Sequence, residues 1–467
     1  MNFSQSQDTQ SYPEFNVPPA AARSAEMPML WDKEHCRLID ACVRHESLLE
    51  LFMQLPKLAD ILEANQAMKD IDFPVVNTVT ALRSHDWTMC ELLHTMSVPV
   101  VQSIAKNTFA FDEWNRTIKP FRMPGPRDPE IPGVYVIGLR IPNRNGKFLN
   151  IEELERLIAD MKLYSRGYES YARHGKWNLN GMSAPEKTAR TLVKAVDRMS
   201  GATIDKADGP LFIANEEELS RIQALISTFE GMCDRSLDPT GKVFGLQSPL
   251  YVGCSKNLYK RTRVYSGHSV KAINKPLGLT VSILRTHAKA PELVVECVLR
   301  ILKDHQLPMA EQLVATLAGS LVYQRGFNAV ETGGTGSKTV DSTDGLRENI
   351  KHIVAGTQIM GQNLSASLKE ANLRQRFLHD LDILNGKIIE ISKNLESCKQ
   401  ALLKLQAGYQ WDGTLDDMRI LVRRLRAELE DQKEALKLWK LMMRIQEVIV
   451  EDTGKGIKLL SSNSDDL

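Results

Sequence analysis

Apolar residues recur at three- and four-residue spacing early in the chain. Leu38, Cys42, Leu48, Leu49, Leu51 and Phe52 begin the series, and Leu58, Ile61 and Leu62 continue it. That period predicts a helical region over 31–125. Pro124, Pro126, Pro129 and Pro132 interrupt it, and Gly133-Val134-Tyr135-Val136-Ile137-Gly138-Leu139 changes to a short β-rich run. The helical period returns from 150 to about 235. Ile151, Leu154, Leu157, Ile158 and Met161 mark one helix. Leu219, Ile222, Leu225 and Ile226 mark another, starting near Asn215 with Glu216, Glu217 and Glu218 in its first turn. A second strand is expected over Pro249–Gly253, a helix from Leu277 to about Thr286, and a third strand over 292–302. Ala310–Tyr323 then reads as a helix entered through Pro308 and ended by Gly326-Phe327-Asn328.

The two ends differ from this middle. Residues 1–28 are rich in Ser, Gln, Pro and Ala and predict disorder. A Gly-, Ser- and Thr-rich stretch predicts a flexible linker over 335–350. Beyond it Phe377, Leu381, Leu384, Ile388, Ile391, Leu395, Cys398, Leu402 and Leu405 step alternately by four and three, which is an a/d seam. The seam breaks at Gly408–Gly413. Thr414 can cap a second helix, with Asp417 three residues on, and Leu415, Met418, Val422, Leu425, Leu429, Leu436, Trp439 and Met443 form its seam. A coiled coil over 364–450 follows, as an antiparallel hairpin or as a dimer with a second copy or another helical protein.

Composition narrows the class. At 467 residues and a net charge of +1, the chain spans several domains and lacks the bulk charge to coat a polyanion. Its seven cysteines are scattered and include no C-x-x-C pair, which fits a reducing compartment and gives no zinc site. The start of the chain is polar, unlike a signal peptide, and no apolar run is long enough to span a bilayer. A soluble intracellular protein is expected, with the nucleus one compartment open to it.

Charge becomes informative locally. Between Asp238 and Glu292 there is no acidic residue but nine basic ones: Lys242, Lys256, Lys260, Arg261, Arg263, Lys271, Lys275, Arg285 and Lys289. Inside this window lies Tyr251-Val252-Gly253-Cys254-Ser255-Lys256-Asn257-Leu258-Tyr259-Lys260-Arg261, a strand that turns into a basic helical segment. Concentrated positive charge beside a Tyr and an Arg on a tight turn points to a phosphate-bearing partner, with Lys256, Lys260, Arg263, Lys271 and Lys275 as its contacts.

In order, the Gly133-Val134-Tyr135 strand, the Tyr251-Val252-Gly253 strand, the helix with Arg261 and Tyr265, a third strand, a helix led by Glu311, and Gly326-Phe327-Asn328 resemble the GIY-YIG nuclease family. The resemblance covers about 133–139 and 247–334. It implies an α+β fold in which a small three-stranded antiparallel sheet is flanked by helices, here over 130–334 and interrupted by a helical insertion at about 145–245. It also implies metal-dependent hydrolysis of DNA phosphodiesters. Glu311 would be the one protein ligand to Mg²⁺ or Mn²⁺, and Arg261 would hold the scissile phosphate. Tyr251 or Tyr135 would help deprotonate or position the attacking water, Tyr265 stands where the family has His or Tyr, and Asn328 would help shape the site.

Family members join the two tyrosine strands by a short hairpin, whereas here more than a hundred residues intervene. Gly209–Ile213 and Lys242–Phe244 therefore remain alternative first strands, and Glu292 and Glu296 alternative carboxylates. Two other readings compete with the nuclease. One is a catalytically inactive module of the same kind that binds nucleic acid or protein on a coiled-coil scaffold. The other is a purely structural coiled-coil protein.

Overall fold

A computed structural model describes residues 37–41, 47–71, 73–84, 86–175, 181–201, 209–267, 269–333, 343–406 and 415–454. The expected disorder of 1–28 and the break at Gly408–Gly413 with its Thr414 cap lie outside these residues. The chain divides into two compact units, Met1–Glu370 and Ala371–Leu467. The first is α+β, and at its centre is one three-stranded antiparallel sheet in the order β2-β1-β3.

The central strand, β1 (Gly133–Arg140), is buried along almost its whole length. It pairs with β2 (Tyr251–Ser255), setting Tyr135 opposite Gly253 and Ile137 opposite Tyr251. On its other side it pairs with β3 (Glu292–Arg300), with a register shift between Val134 and Tyr135. Val134–Leu139 is the strand partner of Tyr251, so neither Gly209–Ile213 nor Lys242–Phe244 is the first strand.

Strand side chains alternate between faces, and here both faces are covered. Val134, Val136, Val252, Val294 and Val298 pack with the N-terminal helices and with Leu307, Leu313 and Leu317. Tyr135, Ile137, Leu139 and Cys297 pack with Leu154, Leu157, Met161, Leu225 and Phe229 of the insertion and with Leu277, Leu279 and Val281. Coverage of both faces explains why β1 reads as a nearly continuous apolar run rather than an alternating one.

The insertion is helical, as the periodicity predicts, with helices at Ile151–His174, Ala184–Met199 and Glu216–Gly231. Asn150 and Glu153 cap the first reciprocally. Asn215 caps the third by accepting the Glu218 N–H at 2.9 Å. These helices form one wall of the core. They are not an appendage hung from a hairpin tip.

Two expected boundaries move. The helix carrying Glu311 runs Gln306–Ala318 and stops at Gly319, whose φ of 55° is left-handed. It begins four residues before Ala310, because the Gln306 side chain accepts the Leu302 and Lys303 N–H groups at 2.9 and 3.0 Å and closes the preceding turn. Gly326-Phe327-Asn328 therefore lies beyond a separate turn and does not end that helix. The linker expected over 335–350 is helical from Thr343 to Ile350. Asn349 is buried there, and its amide donates to the Pro132 and Ile301 carbonyls at 2.9 Å each. Seven residues of π-helix and a left-handed Gln358 then lead into the long helix Ile359–Gln406. The base of that helix belongs to the first unit. Asn363 donates to the carbonyls of His94 and Met96 at 2.9 and 2.7 Å, and Ser367 Oγ lies 2.8 Å from His94 Nε2.

In the second unit, the long helix continues and a further helix spans Leu415–Gly454. Leu381, Leu384, Ile388, Ile391 and Cys398 are half-covered. Phe377, Leu395, Leu402, Leu415, Met418 and Val422 are exposed. Among the described residues no helix is long and apolar enough to cross a membrane.

Candidate functional site

β2 is an edge strand, and the candidate residues gather around it. Tyr251 and Gly253 face the same side as Tyr135. A Cβ on Gly253 would lie 2.5 Å from the Tyr135 hydroxyl, so the Tyr135 ring crosses the strand where Gly253 leaves room. A Cβ on Gly133 would meet the Leu299 carbonyl oxygen at 2.6 Å. Each motif glycine thus serves close packing of the sheet.

After β2 the chain turns sharply. Asn257 accepts the Lys260 N–H at 2.9 Å and caps the short helix Leu258–Thr262, which the fully buried Leu258 anchors. Arg261 Nε donates to the Tyr135 hydroxyl at 3.1 Å. One turn of 3₁₀-helix, Arg263–Tyr265, then brings the Tyr265 hydroxyl within 3.1 Å of the same oxygen. The three tyrosine rings form a triangle with centroids 5.8, 6.3 and 6.4 Å apart.

Burial pushes the Tyr135 phenol well above its ordinary value, helped by Tyr251 and Tyr265 and opposed by Arg261. Burial raises the Tyr251 phenol as well. Both therefore stay protonated at neutral pH and can orient a water but not deprotonate it. Burial works against the charge of Arg261, yet the surrounding phenols outweigh it and raise its pKa. No carboxylate pairs with Arg261 among the described residues, and the side chain, partly covered by the tyrosines, still reaches solvent. A guanidinium held through Nε by one phenol, with Tyr251 as a second neighbour, can still turn N–H groups to an anion. Tyr135 is fully buried, whereas Tyr251 keeps some exposure, so Tyr251 is the one that can meet a solvent molecule.

Glu311 reaches the cluster from the opposite face. Its helix packs against the side of β2 that bears Val252 and Cys254. Because β2 is an edge, the carboxylate still couples electrostatically to Tyr251 and Arg261. Its Oε2 accepts from the Gly333 N–H at 2.8 Å and the Cys254 thiol at 3.1 Å. Burial raises its pKa against the pull of Gly333, Cys254 and Arg261. Glu292 and Glu296 lie on β3, at the other edge of the sheet. Glu292 is bound by Arg140 at 2.8 Å, and Glu296 neighbours Glu113. Among the described residues no group of three or more His, Cys, Asp or Glu side chains is arranged to hold a metal. The donor set at Glu311 is a single hard carboxylate, which fits a cation that keeps most of its waters, as Mg²⁺ does.

Asn328 meets the cluster through the backbone of β2. Its amide donates to the Val252 carbonyl at 2.7 Å, and its oxygen accepts the Val252 N–H at 2.9 Å. Buried and used at both ends, it stands in for a neighbouring strand along the free edge of β2. It holds the site's scaffold through β2.

The basic window is only partly a basic surface. Lys260 pairs with Glu130 at 2.7 Å, Lys275 with Glu218, and Lys289 with Glu153 at 2.6 Å. Arg263 and Lys271 are exposed, while Lys256 is half-buried. The acids that the window lacks in sequence arrive from elsewhere in the fold. Residues missed in the sequence are Cys254 and Gly333, which hold Glu311. Cys254 could have been read from strand alternation, since it must face away from Tyr251. A cavity of about 400 Å³ bounded by Asn107, Thr228, Gln247, Tyr323 and Arg325 shares no residue with this cluster.

Protein-family models, curated proteins and solved structures give no match to this chain.

Proposed function

We propose that the protein is a metal-dependent endonuclease that hydrolyses DNA phosphodiester bonds at the Tyr251–Arg261–Glu311 edge of its sheet, in the manner of the GIY-YIG nucleases it resembles. The observation that carries this reading is Arg261. It is fixed by Tyr135, has no acidic partner among the described residues, and shares an electrostatic neighbourhood with one carboxylate. An unpaired, oriented guanidinium suits a phosphodiester, whose two free oxygens it can grip together while charge grows on them.

Each residue then has a task. Arg261 binds the phosphate and steadies its added charge. Tyr135 and Tyr265 hold Arg261 in place. Tyr251, protonated and partly exposed, orients the attacking water. Glu311 would hold Mg²⁺ or Mn²⁺, and a bound ion of this kind supplies an acidified water and charge neutralisation at the leaving oxygen. Asn328 keeps β2 straight under all of them. Arg263 and Lys271, with Lys256 beside the turn, extend the binding face for the DNA backbone.

The test is nicking of supercoiled plasmid DNA in Mg²⁺ or Mn²⁺. Wild type should nick, and Glu311→Ala should be slower by at least a hundredfold. Equal rates for the two would remove Glu311 from the reaction.

One observation favours a second reading, an inactive module that binds nucleic acid or protein. Glu311 already accepts two hydrogen bonds on one oxygen, and burial favours its neutral form. In that case the wild type would retard DNA in a gel without cutting it at any divalent-metal concentration.

A further inference from the structure

We propose that Cys254 is a positioning residue whose thiol selects the Glu311 oxygen presented to a divalent cation. The inference rests on the reading of Glu311 as that cation's ligand. On β2, Tyr251 and Gly253 face the tyrosine cluster, and Cys254 faces the opposite side, towards the Gln306–Ala318 helix. Glu311 rises from that helix, so its carboxylate must round the strand edge to approach Arg261. Among the described residues, the side chain that donates to it is Cys254. The thiol donates to Oε2 at 3.1 Å, and the Gly333 N–H donates to the same oxygen at 2.8 Å.

Two donors meet on Oε2, the Cys254 backbone adds to their pull on the carboxylate, and Oε1 is left as the oxygen for a cation. They also fix the terminal torsion of Glu311, which in a free side chain is broad. Gly333 is a fixed partner of its own. Its φ is +80°, and a Cβ there would lie 2.6 Å from the Gln312 amide nitrogen. The backbone donor is therefore set by the turn, and the thiol is the part that substitution can remove. Groups that orient a metal ligand in this way commonly control metal affinity by ten- to a hundredfold.

The experiment is Mn²⁺ binding to the full-length protein, followed by the paramagnetic signal of the free ion, for wild type, Cys254→Ser, Cys254→Ala and Glu311→Gln. Thermal melting of each variant confirms that it is folded. Cys254→Ala should bind Mn²⁺ about tenfold more weakly, because the donor to Oε2 is gone. Cys254→Ser, which keeps a hydroxyl donor, should recover to within about threefold of wild type. A Cys254→Ala protein that binds like wild type, while Glu311→Gln has lost binding, overturns the role of Cys254 and leaves Glu311 in place. So does a serine variant as weak as the alanine one, since loosened packing alone would explain both. Binding untouched by Glu311→Gln overturns this inference together with the reading it rests on.

Discussion

Tyr135 and Gly253 form one unit although 118 positions separate them in the chain. A methyl group at 253 would collide with the Tyr135 hydroxyl at 2.5 Å and with its ring carbon at 2.6 Å. Gly253→Ala should therefore cost about 1–3 kcal/mol of stability through overpacking. It should also release Arg261 from its phenol anchor. Urea unfolding measures the first effect, and an unchanged midpoint would show that the ring can move aside freely. Asn328 is the converse case, a polar side chain spent wholly on backbone. Asn328→Ala leaves both Val252 groups without a partner in a buried place and should cost on the order of 1–3 kcal/mol. Asn328→Asp should recover only the bond from the Val252 N–H. At this scale the sequence was informative where a motif is local. Tyr251 through Arg261 could be read because eleven consecutive residues of strand, turn and helix set their mutual geometry. The use of Asn328 could not be read, because its partner is a strand 76 residues away.

At the level of elements, the helical insertion expected between the two tyrosine strands is a long excursion that returns to cover the sheet. Its periodicity showed that it is helical but could not show which surface it buries. That depends on the side of the sheet to which β1 commits Tyr135, Ile137 and Leu139. The boundaries of the Glu311 helix were misread because Gln306 works as a turn-closing residue, which helical spacing does not display. β3 carries a separate prediction. Glu296 is half-buried, and burial with Glu113 nearby pushes its carboxyl up to about 7. A raised folded value means that the folded state holds its proton longer than the unfolded one. Glu296 therefore favours folding below the ordinary carboxylate range and loses that contribution as pH rises through about 7. Glu296→Gln should flatten the fall in stability between pH 5 and pH 8, by on the order of 1 kcal/mol once partial exposure is allowed for. A pH profile of melting temperatures identical to wild type would mean that Glu296 titrates normally.

Across the whole molecule, charge and the tail limit what the sequence could tell. A window free of acids looked like a polyanion surface, but folding brings Glu130, Glu153 and Glu218 to three of its lysines. What remains positive is narrower and centred on Arg261. On that view Glu130→Gln, which frees Lys260, should strengthen DNA binding by a factor of about 2–5 at low salt and less as salt rises. The a/d seam of the long helices leaves Phe377, Leu395 and Leu402 exposed in the second unit, which is the pattern of a surface that takes a helical partner or a second copy. If a second copy covers it, Leu395→Glu should halve the mass seen by light scattering. A wild-type monomer would assign the seam to another protein or to a hairpin within the chain.

The central claim is that Arg261 and Glu311, reached from opposite faces of one edge strand, act on the same phosphate. Residues that act as a unit are far from additive in their effects on rate. The most direct measurement is therefore the single-turnover rate of Mn²⁺-dependent plasmid nicking by wild type, Arg261→Ala, Glu311→Ala and the double variant, with Lys256→Ala as a control for diffuse charge. The account predicts large losses for both single variants, a small one for Lys256→Ala, and a double variant little slower than the slower single one. Losses that multiply in the double variant, or an Arg261→Ala protein no worse than Lys256→Ala, would contradict it.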